Sequence, residues 1–234
     1  MSSLPTTFYQ NLITKTVPWP GGLTVSHMPS ATVAAGHLLA DAAKKGDWET
    51  VTKLLDAEKA LVPHQWRPGG KAWFTVLHQA AWHGAPPEIA ETLIKRGALR
   101  TLRDAKGRTA FDVAAEHDQS YDLRKILKPP SSPLAPHRID QLNAHLTDLI
   151  DSRIRRLAGN SNPHCALRYP SVEILHELPQ WSVWFPILAM HGGFHIELRY
   201  QYLEVFSWNL VPNGLRQMHV ITHEGAVLVN EEHA

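Results

Sequence analysis

A single cysteine, Cys165, is all the thiol this 234-residue chain carries. One cysteine excludes an intramolecular disulfide and suits a reducing compartment, so the fold must be held by packing and hydrogen bonds. Long hydrophobic runs are missing as well, and no stretch is apolar enough for long enough to cross a bilayer. Residues 1–10, M-S-S-L-P-T-T-F-Y-Q, have neither a basic start nor a continuous apolar run, so they do not read as a secretory signal, and the cytoplasm is the expected location. Nor is there an excess of charge: 23 Lys plus Arg stand against 22 Asp plus Glu. Residues 1–128 hold 16 basic and 12 acidic side chains and the remainder 7 and 10, too mild a split for the clustered basic face of a nucleic-acid binder. Neither nucleic acid nor a membrane is therefore expected as a partner. The sequence also lacks a G-x-S-x-G elbow, a phosphate-binding glycine loop, a dinucleotide fingerprint and an H-E-x-x-H pair, so no familiar catalytic constellation and no cofactor is expected.

What is present begins with 44% hydrophobic residues, enough for a packed core, and an unusual supply of 15 histidines and eight tryptophans. The chain is organised around Thr75 to Gly84, T-V-L-H-Q-A-A-W-H-G. It joins a Thr-x-Leu-His turn to a helix that carries Ala80 and Ala81 and closes at Gly84. Paired alanines recur at Ala42-Ala43 and Ala114-Ala115, 38 residues before and 34 after. Small residues let neighbouring helices approach closely, and the threonines at 75 and 109 can cap the helices that follow them. After each alanine pair comes an apolar stripe at helical spacing: Val51, Leu54 and Leu55, then Ile89, Leu93 and Ile94, then Leu123, Ile126 and Leu127. On these residues, 36–128 resemble the ankyrin repeat family, in which helix–turn–helix units of about 33 residues stack side by side. Two positions depart from the repeat: Asp112 stands where the turn histidine belongs and Asp118 where the glycine belongs.

The expected fold class is α+β, a three-repeat ankyrin solenoid followed by a helix and an antiparallel β-meander. Residues 1–35, with Pro5, Pro18, Pro20 and Pro29, read as an extended N-terminal arm that covers the exposed end of the first repeat or meets a partner. Residues 129–137 open with P-P-S-S-P-L-A-P and read as a stiff linker. In the last part, 138–234, an amphipathic helix is predicted over 138–158 and strands over 183–188, 194–200, 203–210, 218–222 and 226–230. The segment 184–194 within it resembles a module at the C-termini of uncharacterised bacterial proteins.

The resemblance also implies a use, since ankyrin arrays present fingers and a groove to protein partners. The insertion 60–74 between the first two units is the first finger, with Trp66, Arg67, Lys71 and Trp73. It reads either as a binding finger, because aromatics with arginine concentrate energy at interfaces, or as a loop whose tryptophans fold back onto the array. Gln79, Trp82 and His83 are the groove residues of the middle helix; Arg100 and Arg103 belong to the next finger, Glu116 and His117 to the third groove helix. The expected function is a non-enzymatic protein-binding protein, an inhibitor or immunity protein that neutralises a cognate bacterial toxin or enzyme. Two other readings stay open: an enzyme whose C-terminal, metal-dependent domain is served by an ankyrin recruiting arm, and a self-associating scaffold. For metal, the pairs His191/His195 and His219/His223 are the candidates, yet strand positions four apart lie about 13 Å from each other and cannot share an ion unless the Gly192-Gly193 turn folds them together. No metal site is expected.

Overall fold

The structure, a computed structural model, describes residues 16–158, 162–188, 191–209 and 214–233. The fold is mixed α/β and divides into two compact units, one running from residue 22 to 131 and one formed by residues up to 21 together with 132 onward.

The first unit is three helix pairs: α1 (Ser30–Lys45) with α2 (Trp48–Ala57), α3 (Val76–His83) with α4 (Pro87–Lys95), and α5 (Ala110–Glu116) with α6 (Tyr121–Leu127). Helices α1, α3 and α5 pack side by side, and α4 lies against α6. The close approach comes from alanine: Ala80, Ala81, Ala110 and Ala114 are fully buried between helices, with Leu77, Leu93, Val113 and Leu127 filling the remaining space. Both capping threonines act as the sequence suggests. Thr75 accepts from the His78 backbone N–H, and the His78 ring turns back to the Thr75 backbone. The ring's other nitrogen faces the Arg108 carbonyl at 3.1 Å, an acceptor only. Nε2 therefore donates and Nδ1 accepts, and one imidazole ties the middle turn to the next loop.

Asp112 does the same task by different chemistry. Its carboxylate accepts from the Thr109 N–H and hydroxyl, both at 2.8 Å, while Thr109 accepts from the Asp112 N–H. A carboxylate near a helix N-terminus is also favoured by the helix dipole. Thr109→Ala removes this reciprocal cap and is expected to cost about 1–2 kcal/mol in chemical denaturation, with Thr109→Ser retaining most of it. Each first helix is followed by left-handed backbone, at Gly46 (φ 72°), Gly84 (φ 61°) and Asp118 (φ 49°). Aspartate tolerates that region better than most side chains, so position 118 keeps the turn without glycine.

In the second unit a six-stranded sheet runs in the order β1 to β6: β1 (Val17–Pro18), β2 (Ser182–Ile187), β3 (Gly192–Arg199), β4 (Tyr202–Asn209), β5 (Leu215–Ile221) and β6 (Ala226–His233). All neighbours are antiparallel except β1, which runs parallel to β2. The long helix α7 (Pro136–Ala158) packs along β5 and β6 and against the 3-10 turn Val172–Glu177, which in turn lies on β2 and β3. Leu142, Leu146, Leu149 and Ile150 form the buried stripe of α7. The β2–β3 hairpin closes on Gly192 and Gly193, where a Cβ would run into the carbonyl oxygens of Trp208 and Phe185.

In the sheet, β5 begins three residues before the expected 218 and β6 ends three residues after the expected 230, and three boundaries ahead of residue 138 also differ from the sequence-based expectation. Residues 16–21 belong to the sheet unit, where the Trp19 N–H donates to the Trp184 carbonyl at 2.7 Å and the Trp19 indole donates to the Arg168 carbonyl at 2.6 Å. Trp19 is fully buried there, and residues 1–15 of the arm lie outside the described residues. Helix α1 starts at Ser30, directly after Pro29, so the end of the expected arm is helical. At the linker, Pro136 is the first residue of α7, because proline lacks only an N–H that a first turn leaves free anyway.

Candidate functional site

An exposed aromatic stack marks one face of the helical unit. Trp82, on α3, is 46% exposed. Its ring lies 4.0 Å from that of His117 and meets Phe74 edge-on at 6.2 Å. Phe74 stacks on His78 at 5.4 Å and carries the Arg108 guanidinium over its ring, 5.7 Å from the ring centre. Arg108 is fixed by Asp104, whose side chain is only 1% exposed, and by the half-exposed Glu116. Asp104 also accepts from the backbone N–H groups of Lys106 and Arg108. Burial pushes the Asp104 carboxyl up, but these hydrogen bonds and the Arg108 charge outweigh it and hold the group below the usual carboxylate range. The stack is thus held from below by a buried ion pair while its tryptophan faces solvent.

The remaining sequence-selected residues fall into four groups. His117 and Glu116 join the stack, as described. Gln79, Lys71, Trp73, Arg67 and Trp66 line a cleft of about 320 Å³ between α1, α3 and the first inter-pair loop. Within it Trp66 is only 5% exposed, so its ring belongs to the packing of the unit and does not project from a finger. Arg67 is likewise occupied, by Asp41 and by the His37 ring. Lys71 is exposed and Trp73 half-buried, in left-handed backbone at φ 55°. His83 turns to the first pair: its Nε2 donates to the Lys44 carbonyl at 2.9 Å and its ring meets Trp48 edge-on. Arg100 and Arg103 lie in the second loop, where Arg103 donates to the Gly107 carbonyl at 2.8 Å. That loop is tied to the first by the Ala105 N–H on the Ala72 carbonyl.

In the sheet unit the histidine pairs do not converge. His195 lies opposite Phe206 and His219 opposite Val205, successive residues of β4, so the two rings are on opposite faces of the sheet. Both are buried. Burial and the Arg199 charge push His195 down to about 4, and burial with the Arg153 charge lowers His219. His223 and the exposed His191 sit in turns.

Two arrangements were not singled out from sequence. Asp151 accepts from the Tyr169 hydroxyl at 2.6 Å and lies 3.2 Å from His164 Nε2, which fixes the turn after α7 beside the exposed Cys165. Burial, then the bond to Asp151, pushes the Tyr169 phenol up. Under the sheet, Arg153 donates to the Ser207 hydroxyl at 3.1 Å and the Leu215 carbonyl at 3.0 Å. Its place could have been read from spacing, since position 153 continues the buried series 142, 146, 149 and 150.

Fold and site together define a mixed α/β protein with an exposed aromatic stack on its helical unit. Among the described residues no helix is long and apolar enough to cross a membrane. No family model matches the chain and no curated protein matches its sequence.

Proposed function

We propose that residues 22–131 form an ankyrin-type array and that the protein is a non-enzymatic binding protein, an inhibitor or immunity protein that neutralises a cognate toxin or enzyme. The observation that carries this reading is Trp82, nearly half exposed while its ring is braced by His117 and Phe74. An exposed indole held in one position exposes apolar area to water at a free-energy cost and gains it back when a partner covers it; such residues dominate interfaces. Supporting it are the three helix pairs with their threonine caps and left-handed ends, the repeat chemistry to which the sequence bears its resemblance. The choice of an inhibitor among binding proteins rests on that resemblance in use.

The test starts from a partner captured on the tagged full chain and measures its dissociation constant by calorimetry. Trp82→Ala is expected to weaken binding by about 2 kcal/mol, roughly thirtyfold, with unchanged circular dichroism and melting temperature. Equal affinities for the two proteins would remove Trp82 from the interface and with it the basis of this reading.

A further inference from the structure

Beside the aromatic stack, and sharing Phe74 with it, lies the cleft between α1, α3 and the first loop. Its floor is apolar: Leu39, Ala43 and Val76 are buried there, with the Trp66 ring packed at one side. Its rim is cationic. Lys44 and Lys71 are both exposed, and among the described residues neither is ion-paired, whereas the third cation, Arg67, is already neutralised by Asp41. Trp73, also on the rim, is held in left-handed backbone that bulky side chains rarely adopt. Strain of this kind persists where a ring is wanted in a particular place.

The charge around the cleft has the same sign. Residues 58–75 and 97–109, the two inter-pair loops, hold seven Lys or Arg against two Asp or Glu; with Arg67 set against Asp41, and Arg108 against Asp104 and Glu116, Lys59, Lys71, Arg100, Arg103 and Lys106 still stand against Glu58. Such a surplus on one side of the unit attracts anions from beyond contact distance. The carboxylates of Asp41 and Glu116, each paired to an arginine, break the cationic surface into separate patches, unlike the unbroken basic face that a phosphate backbone needs. They leave room for separate carboxylates spaced along a polypeptide. The volume of about 320 Å³ admits one or two apolar side chains.

We propose that this cleft receives an acidic segment of the partner protein, with an apolar or aromatic side chain on the floor of Leu39, Ala43 and Val76 and flanking Asp or Glu side chains at Lys44 and Lys71. The inference rests on the reading of the helical unit as a protein-binding array and adds the chemistry of what it binds. Apolar burial supplies most of the affinity in such a contact, and the two lysines select for charge and speed encounter.

The probe is a display library of random 16-residue peptides selected on the immobilised full chain, followed by fluorescence anisotropy of the enriched peptides in solution. Enriched sequences are expected to carry net negative charge with at least one Leu, Ile, Phe or Trp among the acids. Their affinity is expected to fall at least about tenfold with Lys44→Glu/Lys71→Glu, and severalfold when salt is raised from about 50 to about 300 mM. Both lysines are exposed, so the variant is expected to keep its melting temperature; Lys44→Gln/Lys71→Gln, with an intermediate loss, checks that charge and not misfolding is read. Enrichment of neutral or basic peptides would overturn the proposal, as would acidic peptides indifferent to both double variants. Peptides that lose binding with Trp82→Ala but not with the lysine variants would sink this inference and leave the protein-binding reading standing. Preferential binding of a labelled single-stranded RNA over every selected peptide would contradict both.

Discussion

Asp104→Ala is expected to destabilise the helical unit by about 3–5 kcal/mol, measured as the urea unfolding free energy at neutral pH. The carboxylate it removes is 1% exposed and accepts four hydrogen bonds, from the Lys106 and Arg108 backbone N–H groups at 2.8 and 2.9 Å and from Arg108 Nε and Nη2 at 2.9 and 2.7 Å. Without it the guanidinium is left with Glu116 and the Phe74 ring, and two loop N–H groups lose their acceptor. The lower end of the range is the better figure, because Arg108 is 18% exposed and can turn toward water. Asp104→Asn, which can still accept from the backbone, is expected to lose about half as much. The charge fixes the pH dependence: the folded carboxyl lies below its ordinary value, so its contribution is complete above about pH 3.9 and is lost as pH falls through the folded value. Wild type and Asp104→Ala therefore converge in acid. Because Arg108 sits over Phe74 and Phe74 braces Trp82, the same variant is expected to weaken partner binding.

Acid is expected to strip the sheet unit of about 3 kcal/mol through His195 alone. In the folded protein this ring is 2% exposed, opposite Phe206 on β4, and burial together with the Arg199 charge pushes it down to about 4. In the unfolded chain it titrates near 6.5. Above about pH 6.5 both states are neutral there and nothing is lost. As pH falls from 6.5 toward 4 the unfolded state takes up a proton that the folded state refuses, so stability declines by about 1.4 kcal/mol per pH unit. His219 adds a loss of the same sign, with Arg153 on α7 and Glu231 on β6 setting its surroundings. Unfolding followed by tryptophan fluorescence between pH 7 and pH 4 reads this slope directly. His195→Leu, which fits the same apolar surroundings and cannot titrate, is expected to flatten it; an unchanged slope would assign the acid lability elsewhere.

The helical unit was legible because its signals are local. Alanine pairs, threonine caps and apolar stripes each act within a few residues, and the structure has helices where those signals lie. Even the two departures proved readable in chemical terms, since Asp112 accepts the same hydrogen bonds a turn residue must and Asp118 adopts the left-handed backbone of the glycines. The strands after residue 182 were legible as β-rich runs set off by glycines 192, 193, 214 and 225, although β5 begins three residues before the expected 218 and β2, β3 and β4 are buried over runs of successive positions instead of alternating.

What escaped depends on partners far along the chain. Val17 pairs with Val183, and no pattern among prolines and glycines near the N-terminus announces a strand partner at that distance. For Trp66 the sequence left two readings open, a binding finger and a loop folded back onto the array; only the packing of α1 and α3 around it selects the second. The Asp104–Arg108 pair was hidden by the ordinary appearance of charges in a loop, although its i, i+4 spacing fits one short turn. In the candidate site, Trp82, Glu116 and His117 were found from their helix positions alone, while Phe74 and Arg108, which hold them, were not. Holding residues carry no signature of their own, since their role is defined by what they touch.

The central claim is that the face bearing Trp82 is covered by a protein partner, and site-specific photo-crosslinking tests it most directly. A benzophenone amino acid is placed at position 82, or, as the control, at the 71%-exposed Tyr121 at the start of α6. After irradiation in the protein's own cells, crosslinked products are identified by mass spectrometry. The account predicts one dominant partner crosslinked from position 82 and not from position 121. Equal labelling from both positions, or products from position 82 that join only this chain to itself, would contradict it.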